Sequence, residues 1–137
     1  MKALSLIQPY ASFIVLGYKR IETRPWPVRY RGPIAIHASK GMPSWARAVC
    51  AEDPAATLIR EHFGSVANLP RGSVVGTTEI IGCRRVTEGI EFTLEPLELA
   101  LGDYRSGRYM WQLGTSPVVF EQPLVASGSL GLWDWDR

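Results

Sequence analysis

The order of apolar and polar positions divides the chain into elements of two different periods. Residues 3–7, Ala-Leu-Ser-Leu-Ile, predict a short strand that Pro9 closes. Tyr10, Phe13, Ile14 and Gly17 then fall at helical spacing. Pro9 suits a first helical position, where a missing N–H costs nothing, and Gly17 suits the stop. Residues 19–24 extend as a strand until Pro25 and Pro27 end it. Gly32-Pro33 opens another strand over 34–39, with Ile34, Ile36 and Ala38 on one side and Ala35, His37 and Ser39 on the other. Pro43 and Pro54 each mark a first helical turn, giving helices over 44–52 and 54–63, the second capped by Asp53 and stopped by Gly64. Period two returns at Ser73, and the Val-, Thr- and Ile-rich run to Val86 predicts a long strand led in by Pro70-Arg71-Gly72. A short helix over 96–101 and strands over 108–113, 118–121 and 124–132 complete the pattern.

Several short strands, with the helices gathered mainly in the first half, predict an α+β fold. Short turns between many strands favour a small curled sheet or barrel with flanking helices, which removes exposed edges. No repeat, low-complexity tract or linker interrupts the chain, so residues 1–137 read as one domain. Apolar residues make up 46% and charged residues 20%, the balance of a globular protein and not of a disordered or fibrous one. The apolar runs fall far short of the ~20 residues that cross a bilayer. Gln8-Pro9 also breaks the first of them before any secretory cleavage site, so a cytoplasmic protein without a membrane partner is expected.

Charge changes the picture more than composition does. Residues 17–47 hold seven basic side chains against a single acid, Glu22, whereas the rest of the chain holds eight basic and twelve acidic ones. Such asymmetry is the footprint of a face that binds polyanions, although a merely solvated face has the same composition. Cys50, Cys83, His37 and His62 show no metal-ligand spacing, so no metal or cofactor is expected and both thiols read as free and buried.

The densest candidate chemistry lies between Gly17 and Arg24. On an extended 20–24, Arg20, Glu22 and Arg24 share one side, with Glu22 held ionised between guanidinium groups. An ion-paired strand edge would look the same and stabilise little. Lys19 suits a phosphate or oxyanion contact as an ammonium, or acid–base chemistry as a desolvated amine, with Glu22 as a candidate partner. Arg24 offers a planar fork for phosphate or a base edge, and Arg31 belongs to the same basic run. Glu79 shares a strand side with Val75, Thr77, Ile81 and Cys83, so it is expected either in a buried ion pair with Arg20, Arg24 or Arg108, or in a polar cleft as an acid–base group. His37 and Ser39 lie on one strand face, but without a GxSxG elbow they read better as ligand contacts than as a nucleophile–base pair. Tyr18, Trp26, Tyr30 and Trp45 interleave with the basic run, as rings do where bases stack, and Trp26 between two prolines is the best exposed of them. Trp111, Trp133 and Trp135 are assigned to the core or its rim.

Gly17-x-Lys19-x-x-Glu22-x-Arg24 matches the signature GxKxxExR of the ASCH domain, and the resemblance extends along nearly the whole chain. Leu4-Ser5-Leu6-Ile7-Gln8-Pro9-Tyr10, Tyr30-Arg31-Gly32-Pro33, Ile36-His37-Ala38-Ser39, Leu69 to Gly76, Tyr109-Met110-Trp111 and Gly131-Leu132-Trp133 are similar to successive blocks of that family. The resemblance implies a PUA-like β-barrel whose cleft, lined by the signature, binds RNA or a nucleotide. It also implies an alternative: some relatives are metal-free amidohydrolases of acylated cytidine, or ribonucleases. The amidohydrolase branch carries a catalytic Lys, matched here by Lys19, and a Thr three residues later, where this chain has Glu22. Its partner carboxylate falls in the neighbourhood of Glu95 and Glu98. A third reading is an adaptor that binds another protein through an exposed apolar patch.

Overall fold

A computed structural model of the protein describes residues 1–136. Its elements follow the order β1 (Lys2–Leu6), α1 (Tyr10–Val15), β2 (Ile21–Arg24), β3 (Gly32–Ala38), α2 (Ser44–Ala51), α3 (Ala55–Phe63), β4 (Ser73–Arg85), α4 (Pro96–Ala100), β5 (Tyr109–Leu113), β6 (Val118–Val125) and β7 (Leu132–Asp134). The α+β class and the predicted helices are therefore present, with boundaries shifted by a residue or two.

All seven strands form one mixed sheet, in the order β2-β5-β4-β3-β1-β7, with β6 also paired to β4. β1 and β3 run parallel, and the crossover a parallel pair needs is supplied by α1 and β2; the other pairs are antiparallel. The thirteen-residue β4 is the spine. One of its edges is covered by β3, while the other takes β6 along Ser73–Thr77 and β5 along Ile80–Arg85. The sheet curls but its path stays open, so the barrel is not strictly closed. At one end Pro25 and Pro27 stop a charged β2; at the other β7 is three residues long. Short, charged or proline-bounded edges of this kind tolerate solvent.

Two differences from the sequence pattern have local causes. Residues 118–125 make one strand straight through Pro123, because β6 has β4 on one side only and a missing N–H can face outward. Residues 126–131 then form a loop instead of continuing as strand.

Both faces of β3 are buried from Ile34 to Ala38, and His37 is the one polar side chain among them. Ile34, Ile36 and Ala38 enter the main core with Leu4, Leu6, Ile14 and Trp111. Ala35, on the opposite face, packs with Ala3, Val74 and Trp135. A further cluster of Phe13, Cys50, Ile59, Leu69 and Leu101 joins α1 to α2, α3 and the end of α4. Cys50 is buried and Cys83 half-buried, and both are free thiols. Among the described residues no helix is long and apolar enough to cross a membrane.

α1 is short, and its ends are fixed by particular groups. Gln8 is fully buried; its Oε1 accepts the Ser12 N–H at 3.1 Å, while its Nε2 donates to Ser12 Oγ at 2.7 Å and to the Pro70 carbonyl at 2.8 Å. One side chain thus satisfies a helix-end donor and ties α1 to the segment leading into β4. At the other end Gly17 adopts φ +88°. The Gly17 N–H bonds the Ile14 carbonyl and the Tyr18 N–H the Phe13 carbonyl, the paired bonds of a Schellman stop. The Lys19 N–H also donates to Phe13 O at 3.1 Å, so the chain turns back under the helix.

Candidate functional site

That turn sets the site. Lys19 leaves it pointing inward and is only 2% exposed, although it lies in a basic surface segment. A charge so buried needs a partner. It has one in Glu98 of α4, 79 residues away, whose Oε2 lies 3.3 Å from Lys19 Nζ. Glu98 is itself buried; its Oε1 accepts the Arg20 backbone N–H at 2.6 Å and its Oε2 accepts the Tyr104 hydroxyl at 3.2 Å. Burial and then the Glu98 charge push the Tyr104 hydroxyl well above its ordinary pKa, so it stays a donor.

Over this pair opens a cavity of about 440 Å³, lined by residues that include Tyr10, Lys19, Glu22, Arg24, Trp45 and Arg108. Tyr10 and Trp45 form one wall, their ring centroids 6.4 Å apart and their planes inclined by 29°. Trp45 is 53% exposed, leaving its surface available. Lys19 Nζ stands 6.0 Å from the Tyr10 ring centre. Burial, then the charge of Glu22, raises the Tyr10 pKa, so this wall is neutral. The opposite wall comes from edge strand β2. Arg24 Nε donates to Glu22 Oε2 at 2.9 Å, Arg24 Nη2 donates to the Ser5 carbonyl at 3.2 Å, and the guanidinium lies 5.6 Å from the Trp111 ring centre. Trp111 is buried and its Nε1 donates to the Trp26 carbonyl, which anchors the chain just beyond β2. At the rim, Arg108 donates to the Thr23 carbonyl at 3.0 Å and lies 3.5 Å from Asp103. Hydrogen bonds from Arg105, with Arg108 alongside, hold the Asp103 carboxyl below its ordinary pKa.

A second cavity of about 790 Å³ adjoins the first, and Ser5, Arg24 and Ser39 line both. Its far side is formed by Lys40, Arg71 and the loop 125–131. Arg71 donates to the Lys40 carbonyl at 3.0 Å. Buried His37 closes its base. The ring Nε2 lies 2.7 Å from the Ala126 carbonyl, which only accepts, so Nε2 carries the hydrogen and Nδ1 faces Ser5 Oγ at 3.0 Å. Trp133 Nε1 donates to the same Ser5 oxygen at 3.0 Å and its ring meets the imidazole edge-on. His37 therefore pins the loop to the sheet, and its side-chain partner is Ser5 and not Ser39.

Of the residues singled out in the sequence, Lys19, Glu22 and Arg24 come together in the first cavity, and His37 and Ser39 line the second. Arg20 is exposed and contributes its backbone N–H to Glu98. Trp26 is exposed, and Arg31, also exposed, donates to the Val28 and Tyr30 carbonyls; neither lines the two cavities. Glu79 is exposed on the far part of β4, beside Gly114, and lines neither cavity. The expected buried ion pair at Glu79 is absent among the described residues because β4 is irregular at Val75, where its pairing with β3 steps from Gly76 to Val74; beyond that point Ile80 faces the main core with Val75 and Glu79 faces out. Thr23 lines the first cavity beside Glu22 and Arg24. Sequence reasoning did not single out Tyr10, Tyr104 or Asp103 for this site. Glu98 left one local signal, an acid between Leu97 and Leu101 on a helix that buries both neighbours in part or in full. Among the described residues, no three His, Cys, Asp or Glu side chains are grouped as a metal site.

Comparison with known proteins bears on this geometry. A family model described as the ASCH domain matches residues 4–123. Human and mouse activating signal cointegrator 1 are each 35% identical over 81 residues, which is 58% of this chain. The chain spans only 14% of the length of those curated relatives. Among solved structures, the crystal structure of ASCH from Zymomonas mobilis superposes with a TM-score of 0.52 at 17% identity, over 90% of this chain and 72% of that one. A single-residue variant of the same bacterial protein gives 0.51 at 18% identity, over 90% and 74%. At such identities the likeness concerns the fold.

Proposed function

The chain belongs to the ASCH domain family, and from that premise we propose that it binds RNA or a nucleotide in the cavity above Lys19. The observation that carries this reading is the pairing, in one cavity, of a stacked and half-open aromatic wall with cations. Tyr10 and Trp45 supply a surface for a base, while Lys19 and Arg24 supply charge for phosphate or for the base edge. Glu22 and the Ser5 carbonyl hold the Arg24 guanidinium beside the Trp111 ring, so the fork is oriented before a ligand arrives. Trp45→Ala is the test, because the ring is exposed and its loss leaves the fold intact. Affinity for nucleoside monophosphates and short RNA is expected to fall by about 1–3 kcal/mol, the worth of one stacked base, in a calorimetric titration. Unchanged affinity in Trp45→Ala and Arg24→Gln together would remove this reading.

One observation favours a second reading, a metal-free hydrolase of acylated pyrimidine nucleosides. Lys19 and Glu98 lie together under the cavity with Tyr104 as a further donor, a set able to polarise an acyl carbonyl and move a proton. Water would add to the amide carbon and the C–N bond would break, the amine taking the proton. Incubation with a panel of N-acylated cytidines, and with RNA, followed by chromatography tests it; no acid release and no cleavage would exclude catalysis.

A further inference from the structure

The second cavity differs in kind from the first, and its lining points to a particular occupant. Arg24, Lys40 and Arg71 face it, and no Asp or Glu is among its lining residues. Among the described residues neither Lys40 nor Arg71 forms an ion pair, and both are exposed. Cations on a protein surface usually have acids nearby, and a concave group of three in which only Arg24 has an acid partner, Glu22, attracts anions. The walls are also built for close approach. Ser127, Gly128 and Ser129 line the loop side, and a Cβ on Gly128 would run into Ser5 Oγ and lie 2.7 Å from His37 Cε1. The bond from Arg71 to the Lys40 carbonyl holds the Arg71 guanidinium beside the Lys40 backbone on the far rim. Its lining residues include no Phe, Tyr or Trp, and the His37 ring at its base is buried and bonded to Ser5 and Ala126, so it offers charge and hydroxyls without an open surface for stacking a base.

Resting on the reading of the first cavity, we propose that the second is a backbone subsite, holding the phosphodiester and ribose of the neighbouring nucleotide, and that the ligand is therefore a single-stranded RNA segment rather than a free nucleotide. Arg24 is the joint between the two. It lines both cavities, and with its Nε on Glu22 and one Nη2 hydrogen on Ser5 it keeps donors to spare. A base between Trp45 and Lys19 would place its own phosphate at Arg24 and the next one toward Lys40 and Arg71. A duplex does not fit this scheme, because the base must leave its stack to reach the aromatic wall.

The test compares two ligands in one variant. Lys40→Gln/Arg71→Gln is measured against a mixed-sequence single-stranded RNA octanucleotide and against nucleoside monophosphates. The octanucleotide is expected to bind about tenfold more weakly, with the slope of log affinity against log salt reduced by about 1.4 for two lost phosphate contacts. Monophosphate binding should stay within about twofold. Ser129→Glu places an acid in the same cavity without touching the Arg71–Lys40 bond, and it should weaken octanucleotide binding in the same way. Equal effects on both ligands, no effect on either, or wild-type binding of an RNA duplex or an acidic peptide as tight as of the single strand would overturn the subsite. In those cases the first-cavity reading survives provided monophosphates bind and Trp45→Ala weakens them; no binding of any nucleotide overturns both.

Discussion

The two adjoining cavities share a wall and a sign of charge, yet they use their cations in opposite ways. In the first, Lys19 is buried against Glu98, Arg24 is fixed by Glu22, and Arg108 stands beside Asp103. In the second, Lys40 and Arg71 are exposed and without acids among the described residues. A buried cation must be compensated within the protein, so it becomes part of the fold and its position is set by its partner. A solvated cation costs little to keep and little to lose, and its effect is felt by a ligand through the field. The same residue type is thus structural and positional in one cavity and purely electrostatic in the other.

The sharpest way to break this comparison is to remove the compensating acid. Glu98→Ala leaves the Lys19 ammonium buried and strands the Arg20 N–H and the Tyr104 hydroxyl. It is expected to cost about 3–5 kcal/mol in urea unfolding, against under about 0.5 kcal/mol for Lys40→Ala. Replacing both partners, Lys19→Met with Glu98→Gln, should recover most of the loss, since no uncompensated charge remains. Similar unfolding midpoints for Glu98→Ala and Lys40→Ala would erase the distinction. A smaller effect is expected where the second cavity meets the sheet. Gly128→Ala pushes a methyl group into the Ser5–His37 network and should destabilise by about 1–3 kcal/mol, read by thermal unfolding. Wild-type stability there would show that the loop yields without disturbing His37.

The smallest effect concerns the rim of the first cavity. Asp103 is held below its ordinary value of 3.8, first by the Arg105 hydrogen bond and also by Arg108. The unfolded chain therefore binds this proton more readily than the folded one as pH falls. Its contribution is complete above the unfolded pKa and is lost as pH drops through the folded one. Because Arg105 is largely solvent-exposed, the increment is under about 1 kcal/mol. Asp103→Asn should show a correspondingly flatter loss of stability, followed by urea unfolding, as pH falls through 3.8 and below.

Much of this molecule was legible in its sequence, for reasons that are local. The helix over Tyr10–Val15 and its Gly17 stop follow from apolar spacing and from one residue that adopts φ +88°. The core side of β3, with Ile34, Ile36 and Ala38, follows from alternation along the strand. Lys19, Glu22 and Arg24 share a cavity because they lie within six residues of one turn and one strand, so their spacing and their family signature say the same thing. Glu79 shows where the local rule ends. Alternation along β4 groups it with Val75 and Thr77, but the irregularity at Val75 turns the later residues over, so Ile80 joins Val75 in the core and Glu79 is exposed instead.

The sequence by itself determined the family, the elements and the identity of the residues on the signature turn. Tertiary structure alone decided that Glu98 would compensate Lys19, that Tyr10 and Trp45 would stack into one wall, and that Lys40 and Arg71 would meet the 125–131 loop across a cavity shared through Arg24. The physical reason is range. Periods of 2 and 3.6 are set by neighbours along the chain, whereas a charge partner 79 residues away is fixed by how strands pair and helices pack, which no local spacing encodes.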